Sequence, residues 1–141
     1  MVLQKKKKFY LIGTNSSDIG DCTIQALQKV KKARIVILSK KFDSCFLKLF
    51  ENKKIYYQET FSNKNDRKLW NKIYELFEYE DVICHLVDGD PILDEDGLQE
   101  INFFKVKYIY SEIISGVIKI VNSLNLNSEL LTNREKNFSS T

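Results

Sequence analysis

The sequence predicts an α/β fold: one parallel five-stranded sheet with helices on both faces. Three observations predict it. Short continuous apolar runs alternate along the chain with stretches whose apolar residues recur every three or four positions. Two of those runs, Ile35–Leu38 and Val82–Val87, are apolar almost throughout, as in strands covered on both faces. Five glycines and one proline in 141 residues are too few for the turns of a sandwich or barrel.

The elements follow in order. Phe9–Ile12 is a first strand, stopped by Gly13, and a polar loop runs from Thr14 to Asp21. Ile24, Leu27 and Val30, with Ala26 beside them, mark a helix whose start Asp21 or Thr23 caps. Ile35–Leu38 is the second strand. Phe42–Phe50 reads as a short helix with Phe46, Leu47, Leu49 and Phe50 inward, and Ile55–Tyr57 as a small third strand. Asp66–Tyr79 is the strongest helix pattern, with Leu69, Trp70, Ile73, Leu76 and Phe77 on one stripe. Val82–Val87 runs as the fourth strand into Asp88-Gly89-Asp90-Pro91. A helix over Gly97–Phe104, a fifth strand at Tyr108–Tyr110 and a last helix over Val117–Leu124 complete the series.

Composition bounds the function. The chain is 43% apolar, enough for one core, and its length suits one domain. A net charge of +3 gives no argument from charge for a nucleic-acid partner, which is not expected. Cys22, Cys45 and Cys84 lie far apart, forming neither a disulfide framework nor zinc-ligand spacing, and suit reduced thiols in the cytoplasm. The lysines at 5–8 precede too short an apolar run for a signal peptide, and no run has the length of a membrane span. The organisation expected is a basic leader at 1–8, an α/β domain at 9–124 and a polar tail at 125–141.

In such sheets ligands sit outside the carboxyl ends of the strands. The loops Gly13–Asp21 and Asp88–Asp96 are therefore the places for chemistry. The first lacks both G-x-G-x-x-G and the P-loop pattern. In the second, Gly89 permits close backbone approach, Asp90 can bond nearby N–H groups and Pro91 fixes the exit. On residue types alone a tight strand-to-helix turn accounts for it. Its acids depart from EF-hand spacing, and no metal is expected. His85, the one histidine, reads as a core or strand-edge residue, with proton transfer as the next reading. Cys84 and His85 point to opposite faces of a strand and cannot pair as nucleophile and base.

The order of these segments resembles the N-terminal half of the tetrapyrrole (corrin/porphyrin) methylases, above all the uroporphyrinogen-III C-methyltransferase type. That family opens V-Y-L-V-G-A-G-P-G-D and then L-L-T-L-K-A-L; here stand F-Y-L-I-G-T-N-S-S-D and D-C-T-I-Q-A-L. Its A-D-V-V-L-Y-D is similar to A-R-I-V-I-L-S, and its R-L-K-G-G-D-P to His85–Pro91. Its P-G-V-S-S-A is similar to the stretch Ser115–Ile120, and its P-L-T-H-R to Leu130–Arg134. The resemblance implies S-adenosylmethionine as cofactor, held by Asp88, Gly89, Asp90 and Leu93, and methyl transfer to a tetrapyrrole of the uroporphyrinogen III type in porphyrin biosynthesis. It also implies a homodimer and a second domain, whose start the tail would be, or a separate C-terminal domain, as the other wall of the cleft.

Departures from the pattern speak against catalysis by this chain alone. Asp88 replaces a glycine and places a side chain where the family has none. The acid after the second strand is Ser39, the lysine after the third falls near Glu59, and the small pair against the cofactor is Ile118-Lys119. No catalytic residue is assigned. The alternatives are a non-catalytic dimerising or binding module and a ribosomal-RNA ribose methyltransferase-like relative. That relative's first loop, A-T-P-I-G-N-L-E-D-I-T, is matched at Thr14, Asp21 and Thr23.

Overall fold

The structure, a computed structural model, describes residues 6–93 and 95–117. Five strands form one sheet: β1 (Lys8–Thr14), β2 (Ile35–Leu38), β3 (Lys54–Tyr57), β4 (Val82–Asp88) and β5 (Tyr110–Ile114). Their order is β3-β2-β4-β1-β5, and every pairing is parallel. The helices are α1 (Ile24–Lys32), α2 (Gln58–Phe61), α3 (Arg67–Leu76) and α4 (Glu95–Val106). The predicted α/β class and the central placing of β2 and β4 are both found.

Strand periodicity divides the core in two. Side chains alternate across a strand, so odd and even positions face opposite layers. Phe9, Leu11, Ile35, Ile37 and Ile83 pack against α3 and α4 through Leu69, Ile73, Ile101 and Phe104. Tyr10, Ile12, Val36, Leu38, Cys84 and Leu86 pack against α1 through Ala26 and Val30, and against Phe42 and Phe46. β1 therefore leaves the sheet toward one layer and β4 toward the other. Their adjacent carboxyl ends form a topological switch point, where parallel sheets open a crevice.

Caps set the helix starts. Thr23 accepts the Ala26 N–H at 3.1 Å to begin α1, and Asp66 accepts the Leu69 N–H at 3.3 Å to begin α3. Thr23, and not Asp21, is the cap of α1. The helix pattern over Asp66–Tyr79 ends at Leu76, beyond which Phe77–Tyr79 close as turns.

Four expectations are corrected. The segment 42–50 is a 3₁₀ turn, Ser44–Phe46, followed by further turns. Its i→i+3 bonds tighten around the mutually packed rings of Phe42, Phe46 and Phe50, which leaves Leu47 exposed. Ile24, on the predicted inner stripe of α1, is 74% exposed: it is the first residue after the Thr23 cap, and the buried contacts of the helix are made further along by Ala26 and Val30. α4 is longer than Gly97–Phe104, and the fifth strand starts at Tyr110 instead of Tyr108. Tyr108 sits at φ 64°, with Tyr108 N–H bonded to Lys105 O and Ile109 N–H to Phe104 O. That is the Schellman stop, which ends α4 before the strand can begin.

Val117 bridges antiparallel to Cys22. The remainder of the expected last helix, the pair Ile118-Lys119, the stretch Leu130–Arg134 and the tail at 125–141 lie outside the described residues. Among the described residues no helix is long and apolar enough to cross a membrane.

Phe104 stacks on Phe9 at 4.1 Å between ring centroids and touches Phe77 and Phe103 edge-on. Phe104→Ala should cost about 3–5 kcal/mol in urea unfolding, whereas Ile24→Ala should stay within about 0.5 kcal/mol. Equal losses would show that the burial of Phe104 and the exposure of Ile24 are assigned wrongly.

Candidate functional site

The switch point brings the two predicted loops into contact. β1 and β4 stay in register through Gly13↔Val87 and Thr14↔Asp88. Beyond that, the Gly89 N–H donates to Thr14 O at 2.9 Å, and Thr14 Oγ1 donates to Val87 O at 2.8 Å. Gly13 makes this approach possible. A Cβ there would run into the Gly89 carbonyl oxygen and lie 2.6 Å from Pro91 Cδ. Gly116 closes the other side, where a Cβ would meet the Gly13 carbonyl oxygen and the Ala26 methyl. Gly116 O in turn accepts the Thr23 N–H at 2.6 Å, which fixes the start of α1 beside the site.

Within the second loop each residue has a distinct task. Gly89 stands at φ 86°, in the left-handed region, and nothing lies within 4 Å of where a Cβ would point. Its Cα face is therefore open to a ligand's close approach. Asp90 Oδ1 accepts the Ile92 N–H at 3.0 Å and the Ser115 hydroxyl at 3.1 Å, so it organises the turn as its residue type predicted. Leu93 ends the 3₁₀ turn Pro91–Leu93 that leads into α4.

Asp88 has partners that sequence spacing alone does not indicate. Its carboxylate turns toward the first loop, where Oδ1 accepts the Ser16 N–H at 2.8 Å and Oδ2 lies 3.5 Å from Lys40 Nζ. The side chain that stands where the family has a glycine ties the two loops together. Sequence adjacency could not show this, because Ser16 and Asp88 meet only through β1–β4 pairing.

The first loop borders an open cleft of about 440 Å3, lined by Ser16, Ser17, Lys40, Lys41, Phe42 and Asp43, among others. The Cys45 N–H bonded to Asp43 holds that carboxyl below its ordinary range. Ser39 sits at the end of β2 and donates its N–H to Leu86 O at 3.0 Å; Glu59 lies exposed on α2, next to β3. Thr23 caps α1 and Asp21 accepts the Asn15 amide at 2.8 Å, so both have local roles beside the cleft.

His85 is wholly buried, as its apolar strand implied, but its partners escaped sequence reasoning. Nδ1 bonds Glu100 Oε2 at 2.6 Å and Nε2 lies 3.0 Å from Gln58 Oε1. This network joins β4 to α4 and α2 just below the site. The i+3 recurrence of apolar residues in α4 was a signal that Glu100, between Gly97 and Phe103, points inward. Cys84 faces the opposite layer, and burial pushes its thiol up to about 12, so it is no nucleophile at neutral pH. Among the described residues no three His, Cys, Asp or Glu side chains group as metal ligands.

Comparisons with known proteins complete the description. The family model for Tetrapyrrole (Corrin/Porphyrin) Methylases matches residues 8–122. The ribosomal RNA small subunit methyltransferase I of Mycoplasmopsis pulmonis is 28% identical over 113 residues, covering 78% of this chain and 50% of that protein. The uroporphyrinogen-III C-methyltransferase of Methanobacterium ivanovii is 27% identical over 115 residues, covering 79% of this chain and 50% of that protein. The chain thus spans about half the length of the curated relatives it matches. Among solved structures, uroporphyrin-III C-methyl transferase from Thermus thermophilus complexed with S-adenyl homocysteine superposes with a TM-score of 0.63 at 22% identity, covering 82% of this chain and 47% of that one. Cobalt precorrin-4 methyltransferase gives 0.65 at 17% identity, over 89% and 52% of the two chains. These likenesses show a shared fold.

The close approach at Gly13 makes a direct test. Gly13→Ala must separate two backbones and should cost about 3 kcal/mol in denaturant unfolding. Gly20→Ala should cost less than about 1 kcal/mol, because its Cβ would meet only the movable Asp18 carboxylate at 3.1 Å. If Gly13→Ala proves neutral, the two loops do not touch as described.

Proposed function

Because this chain belongs to the tetrapyrrole (corrin/porphyrin) methylase family, we propose that it forms the cofactor-binding side of an S-adenosylmethionine-dependent methyltransferase. The observation that carries this reading is Gly89: a left-handed glycine at the switch point, with open space over its Cα and its N–H already held by Thr14. The residues present fit the cofactor. Gly89 offers backbone at close range, Asp90 holds the turn, Leu93 follows on the same loop, and Asp88 is drawn aside by Ser16 and Lys40. When bound, S-adenosylmethionine supplies an electrophilic methyl group on a sulfonium.

The acceptor we propose is a tetrapyrrole of the uroporphyrinogen III type, the substrate named for one relative and for a structural neighbour. Lys40 and Lys41 at the mouth of the cleft suit an acceptor that carries carboxylates. Transfer would form a bond from methyl to a ring carbon and break the methyl–sulfur bond, releasing S-adenosylhomocysteine; the positive charge passed to the ring system would be discharged by loss of a proton from elsewhere in the macrocycle. The chain's part is to hold and orient, which can supply much of the rate. No described side chain is assigned as the base. The reading includes a homodimer, a cytoplasmic location and a second α/β unit as the other wall of the cleft. Ribose methylation of ribosomal RNA is the second reading, favoured by the Mycoplasmopsis relative and by Thr14, Asp21 and Thr23.

One wall leaves much of a ligand in water, and tight sites usually bury 70–90% of theirs. Calorimetry on this chain should therefore give an S-adenosylmethionine Kd no tighter than about 0.1 mM, or about −5.5 kcal/mol. Asn tolerates the left-handed region, so Gly89→Asn should fold with a nearly unchanged Tm while abolishing the binding. Micromolar affinity would contradict the one-walled site. Absence of binding with a C-terminal domain supplied would favour a non-catalytic module.

A further inference from the structure

We propose that the amino-terminal end of the sheet, opposite the Gly89 site, is a docking surface for single-stranded nucleic acid. The inference is independent of the methyl-transfer reading. It rests on how folding sorts charge and aromatic rings that look evenly mixed in the sequence.

All five strands start at this end, so whatever precedes each strand is gathered there. Lys54 opens β3, Arg34 precedes β2 and Lys8 opens β1, with Lys32 and Lys6 beside them. An open hollow of about 430 Å3 is lined by Lys6, Lys8, Lys32 and Arg34, and also by Glu80, Asp81 and Val82. Two acids against four bases leave it positive, and Lys54 extends the positive side. At the carboxyl end the balance shifts toward acids, with Asp18, Asp21, Asp43, Asp88 and Asp90 beside Lys40 and Lys41. The modest net charge thus hides a polarised molecule, which removes the basis on which the sequence counted against a polyanion.

The aromatic rings supply the second, independent observation. Tyr110 opens β5 next to Lys8, and the Lys6 ammonium lies 5.2 Å from its ring centroid. Tyr108 is 97% exposed and holds φ 64° at the position where a Schellman stop ordinarily has glycine. A tyrosine there is strained and buries nothing in return, so its presence is not explained by the stability of the fold. Strands spaced by about 4.8 Å make the strip from β3 to β5 roughly 19 Å long. A positive track that ends in displayed rings is what single strands bind: lysines and arginines for phosphates, ring faces for bases. The rings are separate tyrosines and not an apolar helix face, which favours bases over a lipid surface.

The test is fluorescence anisotropy of a labelled oligouridylate of about ten nucleotides with the full chain. Saturable binding at low salt is expected, weakening roughly fiftyfold between about 50 and 200 mM salt if four phosphates are neutralised. Lys32→Glu with Arg34→Glu should weaken binding at least about tenfold, at surface positions roughly 20 Å from Gly89. Tyr108→Gly should raise the Tm by relieving the backbone, yet weaken oligouridylate binding at least about fivefold and leave inorganic polyphosphate binding unchanged. That opposite movement separates stacking from misfolding. The proposal fails if oligouridylate does not bind at low salt, or if the charge-reversed protein binds as well as the parent. It fails also if Tyr108→Gly leaves oligouridylate affinity intact, or if phosphatidylserine vesicles capture the chain while oligouridylate does not.

Discussion

The pairing of β1 with β4 is the constraint from which the candidate site follows. These strands run in register over seven residues, and they sit where the chain departs to opposite layers of helices. At their carboxyl ends there is room for two backbones and no Cβ between them, so Gly13 admits the Gly89 carbonyl and Gly116 admits that of Gly13. Once that contact is made, the remaining polar groups have near neighbours. Thr14 bonds Val87, Ser16 bonds Asp88, and Asp90 gathers Ile92 and Ser115. The first two of these bonds join segments more than seventy residues apart, and together with the local bonds of Asp90 they fix the loops around the open face of Gly89.

Beneath that site the core is not wholly apolar. His85, Glu100 and Gln58 are joined inside the layer that otherwise consists mainly of Leu, Ile, Phe and Trp side chains. Buried polar groups are stable only with partners, and Glu100 Oε1 has none among the described residues. The network fixes α4, which begins as the Asp88–Leu93 loop ends, against the strand from which that loop leaves. Tertiary packing and polar pairing therefore position the same loop from two sides.

Much of this was legible in the sequence. Continuous apolar runs marked β2 and β4 as interior strands, Gly13 and Gly89 marked loops at strand ends, and Thr23 and Asp66 stood where helix caps belong. What escaped depended on contacts between distant residues. The partners of Asp88 were not legible because Ser16 and Lys40 are far away in the chain. Glu100 drew no reading, because its partner His85 lies on another element fifteen residues away. Tyr108 read as strand because its aromatic, β-favouring character gave no hint of the helix stop that holds it at positive φ. Phe42–Phe50 has helical spacing, but the mutual packing of three rings closes it as tighter turns. Net charge concealed the polarity of the two sheet ends, since a sum carries no positions.

The binding of S-adenosylmethionine proposed above would take place at the β1–β4 switch point. Amide chemical shifts of the labelled chain during titration with S-adenosylhomocysteine test it most directly. The largest changes are expected at Gly89 and Asp90 and across the Gly13–Ser16 backbone, with Tyr108 and Arg34 at the other end of the sheet unmoved. Saturating shifts confined to any other surface, with Gly89 and Asp90 unchanged, would contradict it.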